Sequence, residues 1–457
     1  MARWNIIFLI FIFTQSSGAV LYMSLRGSED RLQAFCAQNK CLENIVETKA
    51  IEFDNGNTFV KIMSPVAGQP VEVFVNSELT ANQFMELLIA IRALKSEFSG
   101  SINVNFNSKY LNLKSKEGTP LLDSSFAREL IYLAGAETIQ NLYPLSNSKK
   151  NVALKHRSLS VLLGSSTSAS ASGLATSLKI PQIELKDTHS LGPDHRVFQY
   201  ESFNEDYNEN FLKILGRLKK IRNRKSAVTL ITPYLPYARS DKKDQKGVAI
   251  SGRLAADLIE AAGADSIIFV RAHAPQSEGF FSIPTLQISG RKTINNFLKS
   301  REVEVVVSPD AGFQKDATLY ADELRVPLSV INKQRNLETG KAEIKGISGF
   351  SVKGRRVVII DDETASGSTL AKAAELLKSL GAVYVVGVVT HLAGSADQAL
   401  KSPFLDEVVV TDSLPIKTNS EKLKVLSLTD EIAEEIKNTF PPFAGSSLNC
   451  RARIMKF

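Results

Sequence analysis

The sequence predicts an α/β protein built from tandem units, with mainly parallel sheets flanked by helices. Two observations carry this reading. Short β-branched runs at 303–307, 356–360 and 383–389 alternate with helical patterns such as 370–380, which Gly381 closes. Apolar strands alternating with helices make parallel sheets covered on both faces. The chain also repeats itself. Phe84-Met85-Glu86-Leu87-Leu88-Ile89-Ala90-Ile91 matches Phe211-Leu212-Lys213-Ile214-Leu215-Gly216-Arg217-Leu218 at an offset of 127 positions. Leu130-Ile131-Tyr132-Leu133-Ala134-Gly135-Ala136 matches Leu258-Ile259-Glu260-Ala261-Ala262-Gly263-Ala264 at an offset of 128. Near the start of each copy, Gly27-Ser28 matches Gly164-Ser165 at 137. Three matches in order indicate a duplication, with a short hairpin missing from the second copy.

The 457 residues divide accordingly. Residues 1–19 read as a leader: Arg3, an apolar run at 6–13, then the small residues Ser17-Gly18-Ala19, in the order of a secretory signal peptide. The run is far short of the ~20 apolar residues that span a bilayer. An integral membrane span is therefore not expected once the leader is removed. Export to a periplasm or the medium is the first expectation, and an unprocessed cytoplasmic chain is the alternative. Residues 20–145 form copy one, 146–157 a polar linker, 158–295 copy two, 296–430 a third unit and 431–457 a tail. From Pro441 the tail reads as loop.

Hydrophobic residues at 44% and charged residues at 23% are globular composition, which excludes disorder, collagen and coiled coil as the main content. The net charge of +7 suits phosphate handling, and on so long a chain it does not indicate nucleic acid. Three cysteines exclude a disulfide scaffold and a Cys-rich zinc module. Cys36 and Cys41 either pair in an oxidising compartment or stay free and buried.

The densest signal is Val357-Val358-Ile359-Ile360-Asp361-Asp362-Glu363-Thr364-Ala365-Ser366-Gly367-Ser368-Thr369. A buried strand delivers two carboxylates, and a loop of small residues then opens a helix. Ligands of parallel sheets sit beyond the carboxyl ends of the strands. A helix N-terminus rich in Ser, Gly and Thr offers N–H groups and hydroxyls to a phosphate. Asp361 and Asp362 are placed to accept hydrogen bonds from sugar hydroxyls. The competing reading is an ordinary acidic turn capped by Ser366.

These residues resemble the phosphoribosyl diphosphate loop of type I phosphoribosyltransferase folds. Across copy two and the third unit, the chain is similar to the ribose-phosphate diphosphokinase (phosphoribosyl diphosphate synthetase) family. Further landmarks are Pro233-Tyr234-Leu235-Pro236-Tyr237-Ala238-Arg239-Ser240-Asp241-Lys242-Lys243-Asp244, then Ala272-His273-Ala274-Pro275-Gln276. Ser308-Pro309-Asp310-Ala311-Gly312, Lys333-Gln334-Arg335 and Thr390-His391 follow. Copy one resembles the family's N-terminal half a second time, through Phe53-Asp54-Asn55-Gly56-Asn57 and the 82–95 helix.

The resemblance implies tandem type I phosphoribosyltransferase-like domains and Mg²⁺-dependent transfer of a diphosphoryl group from ATP to ribose 5-phosphate. It implies catalytic roles for Lys333, Arg335 and His273, and ATP contacts from Arg239, Asp241, Phe53 and Asn55. Ribose phosphate falls to Asp310, Asp361, Asp362, Ser366, Gly367, Ser368 and Thr369, and the metal to His273 and Asp310. A homo-oligomer or an intrachain pseudo-dimer is implied, with copy one as a non-catalytic partner whose hairpin carries Phe53 to adenine.

Departures from the family pattern point the other way. Ala365 stands where an acid is usual, and Ser368 where glycine is usual, which crowds the loop if its φ is positive. Arg271 stands where aspartate is usual, replacing a metal partner with a cation. Ser240 replaces a glutamine, and Asn55 and Asn57 replace hairpin acids. The second reading is therefore a catalytically impaired homologue that binds nucleotide or sugar phosphate as a regulatory subunit. A phosphoribosyltransferase acting on a base fits less well, because Lys333, Arg335 and Arg239 match the ATP-using branch.

Overall fold

The computed structural model describes residues 20–25, 28–52, 58–64, 66, 69–97, 101–108, 111–140, 159–164, 168–184, 188–193, 195–203, 206–335 and 342–440. The leader at 1–19, the whole linker at 146–157, Phe53, Asn55 and the residues from 441 lie outside them.

Copy one comprises β1 (Leu21–Ser24), α1 (Glu29–Asn39), β2 (Thr48–Glu52), β3 (Thr58–Ile62), β4 (Val71–Val75), β5 (Glu78–Thr80), α2 (Ala81–Ser96), β6 (Ile102–Phe106), β7 (Asn112–Lys114), α3 (Ser124–Ala134) and β8 (Thr138–Gln140). Its main sheet runs β1-β4-β6-β8 and is parallel throughout. Helix α2 starts where its sequence says it should: Thr80 and Gln83 form a reciprocal capping box. Cys36 and Cys41 are joined as a disulfide, beside Phe74 and Leu32.

Copy two comprises β9 (Leu159–Leu163), α4 (Ala169–Leu178), β10 (Gln182–Ile183), β11 (His195–Tyr200), α5 (Tyr207–Asn223), β12 (Ala227–Ile231), α6 (Ser251–Ala262), β13 (Ser266–Val270) and β14 (Thr285–Ile288). Its sheet, β10-β9-β11-β12-β13-β14, is also parallel. The order β9-β11-β12-β13 repeats β1-β4-β6-β8. The matched segments fall on α2 and α5, and on α3 and α6. Gly135 and Gly263 close the latter pair at φ +124° and +109°, a region that favours glycine. The β2–β3 hairpin has no counterpart among the described residues of copy two.

The third unit contains α7 (Arg291–Lys299), β15 (Val305–Ser308), α8 (Gln314–Leu324), β16 (Leu328–Arg335), β17 (Ala342–Gly349), β18 (Arg356–Thr364), α9 (Ser368–Ser379), β19 (Tyr384–Leu392), α10 (Asp397–Lys401), β20 (Glu407–Thr411) and β21 (Leu423–Leu426). The sheet runs β17-β16-β15-β18-β19-β20-β21, and only the β16–β17 pair is antiparallel.

Two boundaries differ from the sequence reading. A division at 295 cuts α7, whose Ile294 and Leu298 are buried with Val306 and Tyr320 of the third unit. A division at 430 likewise cuts a helix. The first residues of the tail belong to α11 (Thr429–Thr439), which returns to copy two and buries Ile432 and Ile436 against Leu174 and Phe198.

The two copies share one hydrophobic core, to which α2, α3, α5 and α6 all contribute. Arg92 on α2 pairs with Asp257 on α6 at 2.6 Å, and Lys219 on α5 with Glu129 on α3 at 2.9 Å. The helix offsets of 127 and 128 make Arg92 the counterpart of Lys219, and Glu129 that of Asp257. Each ion pair is thus the image of the other, the signature of a self-complementary interface. The β2–β3 hairpin also grips copy two. Ile62 N–H donates to the Gly247 carbonyl at 2.8 Å, and Lys61 Nζ to Gln245 Oε1 at 2.7 Å. Gly247 is at φ +79°, and a Cβ there would stand 2.0 Å from the Ile62 carbonyl oxygen.

Candidate active site

Strand β18 carries the acids. It does not end at Ile360 but continues through Thr364, with Asp361 opposite Val389 and Glu363 opposite His391. Asp361, Asp362 and Glu363 therefore lie on a strand at its carboxyl end, and each engages a different part of the molecule.

Asp362 reaches copy two. Its Oδ2 lies 2.6 Å from His273 Nδ1. That contact raises the imidazole above its ordinary pKa, against the opposing effect of burial. The Asp362 carboxyl is held below the usual range: burial, the largest influence, works upward but is outweighed by His273 and neighbouring donors. Asp361 is pushed well above the ordinary carboxylate range by burial and by the adjacent Asp362 charge, with Asp310 adding to it. The two adjacent carboxyls are thus shifted in opposite directions.

Glu363 is the acid that motif reasoning left without a role. It is buried, accepts from the Tyr234 hydroxyl at 3.3 and 3.2 Å, and faces Arg239 Nη1 at 3.7 Å. Burial raises its pKa and Arg239 restrains the rise. Its partners are about 125 residues away, so adjacency to the Asp361-Asp362 pair was the sole local signal. Asp241 lies nearby in sequence, within 3.5 Å of Gln276 Nε2.

The third unit supplies Asp310 and Lys333. Asp310 Oδ1 accepts from the N–H groups of Gly312 and Phe313 at 3.0 and 3.2 Å, and its Oδ2 lies 3.5 Å from Lys333 Nζ. A register shift between Asn332 and Lys333 marks a bulge on β16, a device that re-aims side chains beside sites. Arg335 ends the same strand, opposite Ala342. Lys333 thus meets Asp310, whose charge in turn acts on Asp361.

The small-residue loop is tightly tied. Gly367 N–H donates to Thr364 Oγ1 at 3.0 Å, Ser368 N–H to Ser366 Oγ at 3.4 Å, and Gln398 N–H to the Ser366 carbonyl at 2.9 Å. The positive φ belongs to Gly367 at +78°; Ser368 and Thr369 begin α9. The crowding expected of Ser368 therefore does not arise.

Arg271 also departs from expectation. Its guanidinium pairs with Asp316 on α8 at 2.5 Å and lies over Phe313, while its Nε is buried without a hydrogen-bond partner. The charge is neutralised across the domain junction. Nearby His391 is fully buried and lies 2.8 Å from both the Arg271 carbonyl and Ser413 Oγ; burial depresses its pKa to about 4.

The described residues of copy one hold no such cluster. At the carboxyl ends of β4 and β6, Arg31 donates to the carbonyls of Val75, Asn105 and Phe106, all within 3.2 Å. No sequence motif announced Arg31.

Two family models match in succession: the N-terminal domain of ribose phosphate pyrophosphokinase over residues 188–263, and the phosphoribosyl transferase domain over 284–422. Copy one lies outside both. The ribose-phosphate pyrophosphokinase of Wolinella succinogenes is 36% identical over 238 residues, covering 51% of this chain and 76% of that protein. That of Aquifex aeolicus is 33% identical over 282 residues, covering 60% and 90%. The crystal structure of phosphoribosylpyrophosphate synthetase from Mycobacterium smegmatis superposes with a TM-score of 0.54 at 29% identity, covering 62% of this chain and 98% of that one. With both family domains in order and the parallel sheets they require, this chain belongs to the ribose-phosphate pyrophosphokinase family of diphosphate-transferring enzymes.

Proposed function

We propose that the chain transfers the β,γ-diphosphoryl group of ATP to the 1-hydroxyl of ribose 5-phosphate, releasing AMP and the hydroxyl proton. The observation that carries this is a set of three pairs: His273 with Asp362 and Arg239 with Glu363 at the end of β18, and Lys333 with Asp310, whose charge acts on Asp361. Such transfer is mostly positioning and charge stabilisation. Arg239 and Asp241 would meet the nucleotide. Asp361, Asp362 and the Ser366–Thr369 loop would hold the ribose phosphate, with Asp310 beside them. Lys333, with Arg335, would stabilise charge developing on the transferred group and the bridging oxygen, and His273 would orient Asp362.

Mg²⁺ carried on the ATP phosphates would meet Asp310 and His273. The residues fit a cation that keeps its waters, since Asp310 offers a half-exposed oxygen donor. When bound, the metal would neutralise phosphate charge.

Copy one is best read as a duplicated, non-catalytic module forming an intrachain pseudo-dimer with copy two. The mirrored ion pairs support this, and the hairpin bearing Phe53 and Asn55 is anchored on the loop after Arg239. Further assembly into a homo-oligomer remains compatible with it. The described residues contain no helix long and apolar enough to cross a membrane. Use of the leader would place the mature chain in the periplasm or medium, and its retention in the cytoplasm. N-terminal sequencing of protein purified from its host decides: export predicts a start at Val20.

The central test follows AMP release by purified protein given ATP, ribose 5-phosphate and Mg²⁺. Transfer should be evident, and Lys333→Ala should lower turnover far more than ATP affinity. AMP release no higher than in Lys333→Ala, with nucleotide binding intact, would favour the regulatory-subunit reading, for which the Arg271 substitution speaks.

A further inference from the structure

A buried polar chain crosses from copy one into the nucleotide side of copy two. Asn208, at the start of α5, is 1% exposed, and three elements satisfy its amide. Its Nδ2 donates to Thr58 Oγ1 on β3 at 2.8 Å and to Asn82 Oδ1 on α2 at 2.9 Å. Its Oδ1 accepts from the Tyr237 hydroxyl. Tyr237 is itself buried and sits at φ +59°, a conformation uncommon for a bulky residue, which persists only where surroundings over-determine it. Its N–H donates to Tyr207 Oη at 3.0 Å, and its carbonyl accepts from Ser240 N–H at 2.9 Å. That last bond closes a turn with Arg239 at its third position. Packing alone would hold an apolar side chain here; a fully satisfied polar network instead fixes a single geometry.

We propose that copy one is a positioning module: through Thr58 and Asn82, Asn208 and Tyr237, it sets the 237–240 turn and so the reach of Arg239 toward nucleotide. This rests on the proposed ATP role of Arg239. Thr58 follows directly on the Phe53–Asn57 segment, so one chain of bonds ties the foot of the hairpin to the catalytic module's own turn. Tyr237 and Thr58 touch no substrate in this account and act through Arg239.

The test uses the full chain with Thr58→Val and Tyr237→Phe, which preserve shape. Each should raise the KM for MgATP about fivefold, with the KM for ribose 5-phosphate unchanged. The double variant should rise no more than about tenfold, well under the product expected of independent sites. A Thr58→Val protein with a lower thermal midpoint but unaltered KM for MgATP would overturn the proposal, as would equal changes in both KM values. Should the wild-type chain form no AMP, the transfer reading fails separately. ATP binding by calorimetry and amide exchange at 237–241 then decide: weaker binding with faster exchange in Thr58→Val supports the module, and no change in either refutes it.

Discussion

Charge at the candidate site is set by pairs of neighbours, and the His273–Asp362 contact is the one to test first. The raised imidazole contributes stability that is complete below its ordinary value of 6.5 and is lost as pH rises through the raised one. The lowered carboxyl contributes stability present above its ordinary 3.8 and lost as pH falls through the lower value. The pair therefore joins copy two to the third unit most firmly at mildly acidic pH. In Asp362→Asn, the His273 imidazole should titrate at lower pH than in wild type, as followed by NMR; an unmoved midpoint would mean that burial, not Asp362, governs it. Among the residues, His273, Asp310, Lys333, Asp361 and Asp362 were legible because each sits in a short local motif. Glu363 and Arg31 were not, since their partners are distant in sequence. Arg271 was visible as a substitution, but Asp316, which neutralises it, was not.

Elements determine how those side chains are delivered. The helices were readable from 3–4 spacing, and the parallel sheets from apolar runs. The length of β18 was not, because three consecutive acids read as a turn until the neighbouring β19 pairs with them. The tail helix α11 was missed because its apolar face is satisfied only by copy two. Gly367 shows what the loop before α9 requires. Its φ is +78°, and a Cβ there would lie 2.5 Å from the Ala399 side chain of α10. Gly367→Ala should destabilise the protein by about 1–3 kcal/mol and raise the KM for ribose 5-phosphate, which denaturant melts and kinetics would read. His391 on β19 adds a second pH dependence. It stays neutral when folded down to about 4, whereas the unfolded chain takes up a proton near 6.5. Stability should fall as pH drops between those values, and His391→Asn, though less stable overall, should flatten that slope in urea titrations.

At the scale of the whole molecule, the proposed duplication would account for two modules that share one strand order, of which only copy two faces the acids of β18 among the described residues. The interface helices α2 and α5 are buried along much of their length: Phe84, Leu87, Leu88 and Ile91 on one, Phe211, Leu212, Leu215 and Leu218 on the other. Copy two alone would expose that apolar face to water, at about 25 cal/mol per Å² of apolar surface. Because the interface is self-complementary, a fragment of residues 158–440 has an obvious remedy. Two fragments can meet through α5 and α6, with Lys219 of one facing Asp257 of the other, as Arg92 faces Asp257 within the intact chain. Analytical ultracentrifugation should find this fragment self-associating, and Asp257→Lys should suppress the dimer by placing like charges together. The intact chain, with that face already covered, should not respond to Asp257→Lys by changing mass, because its lost Arg92 contact is internal. A fragment that stays monomeric and folded at high concentration would show that copy one is not standing in for a second subunit, and would leave the mirrored ion pairs without a cause.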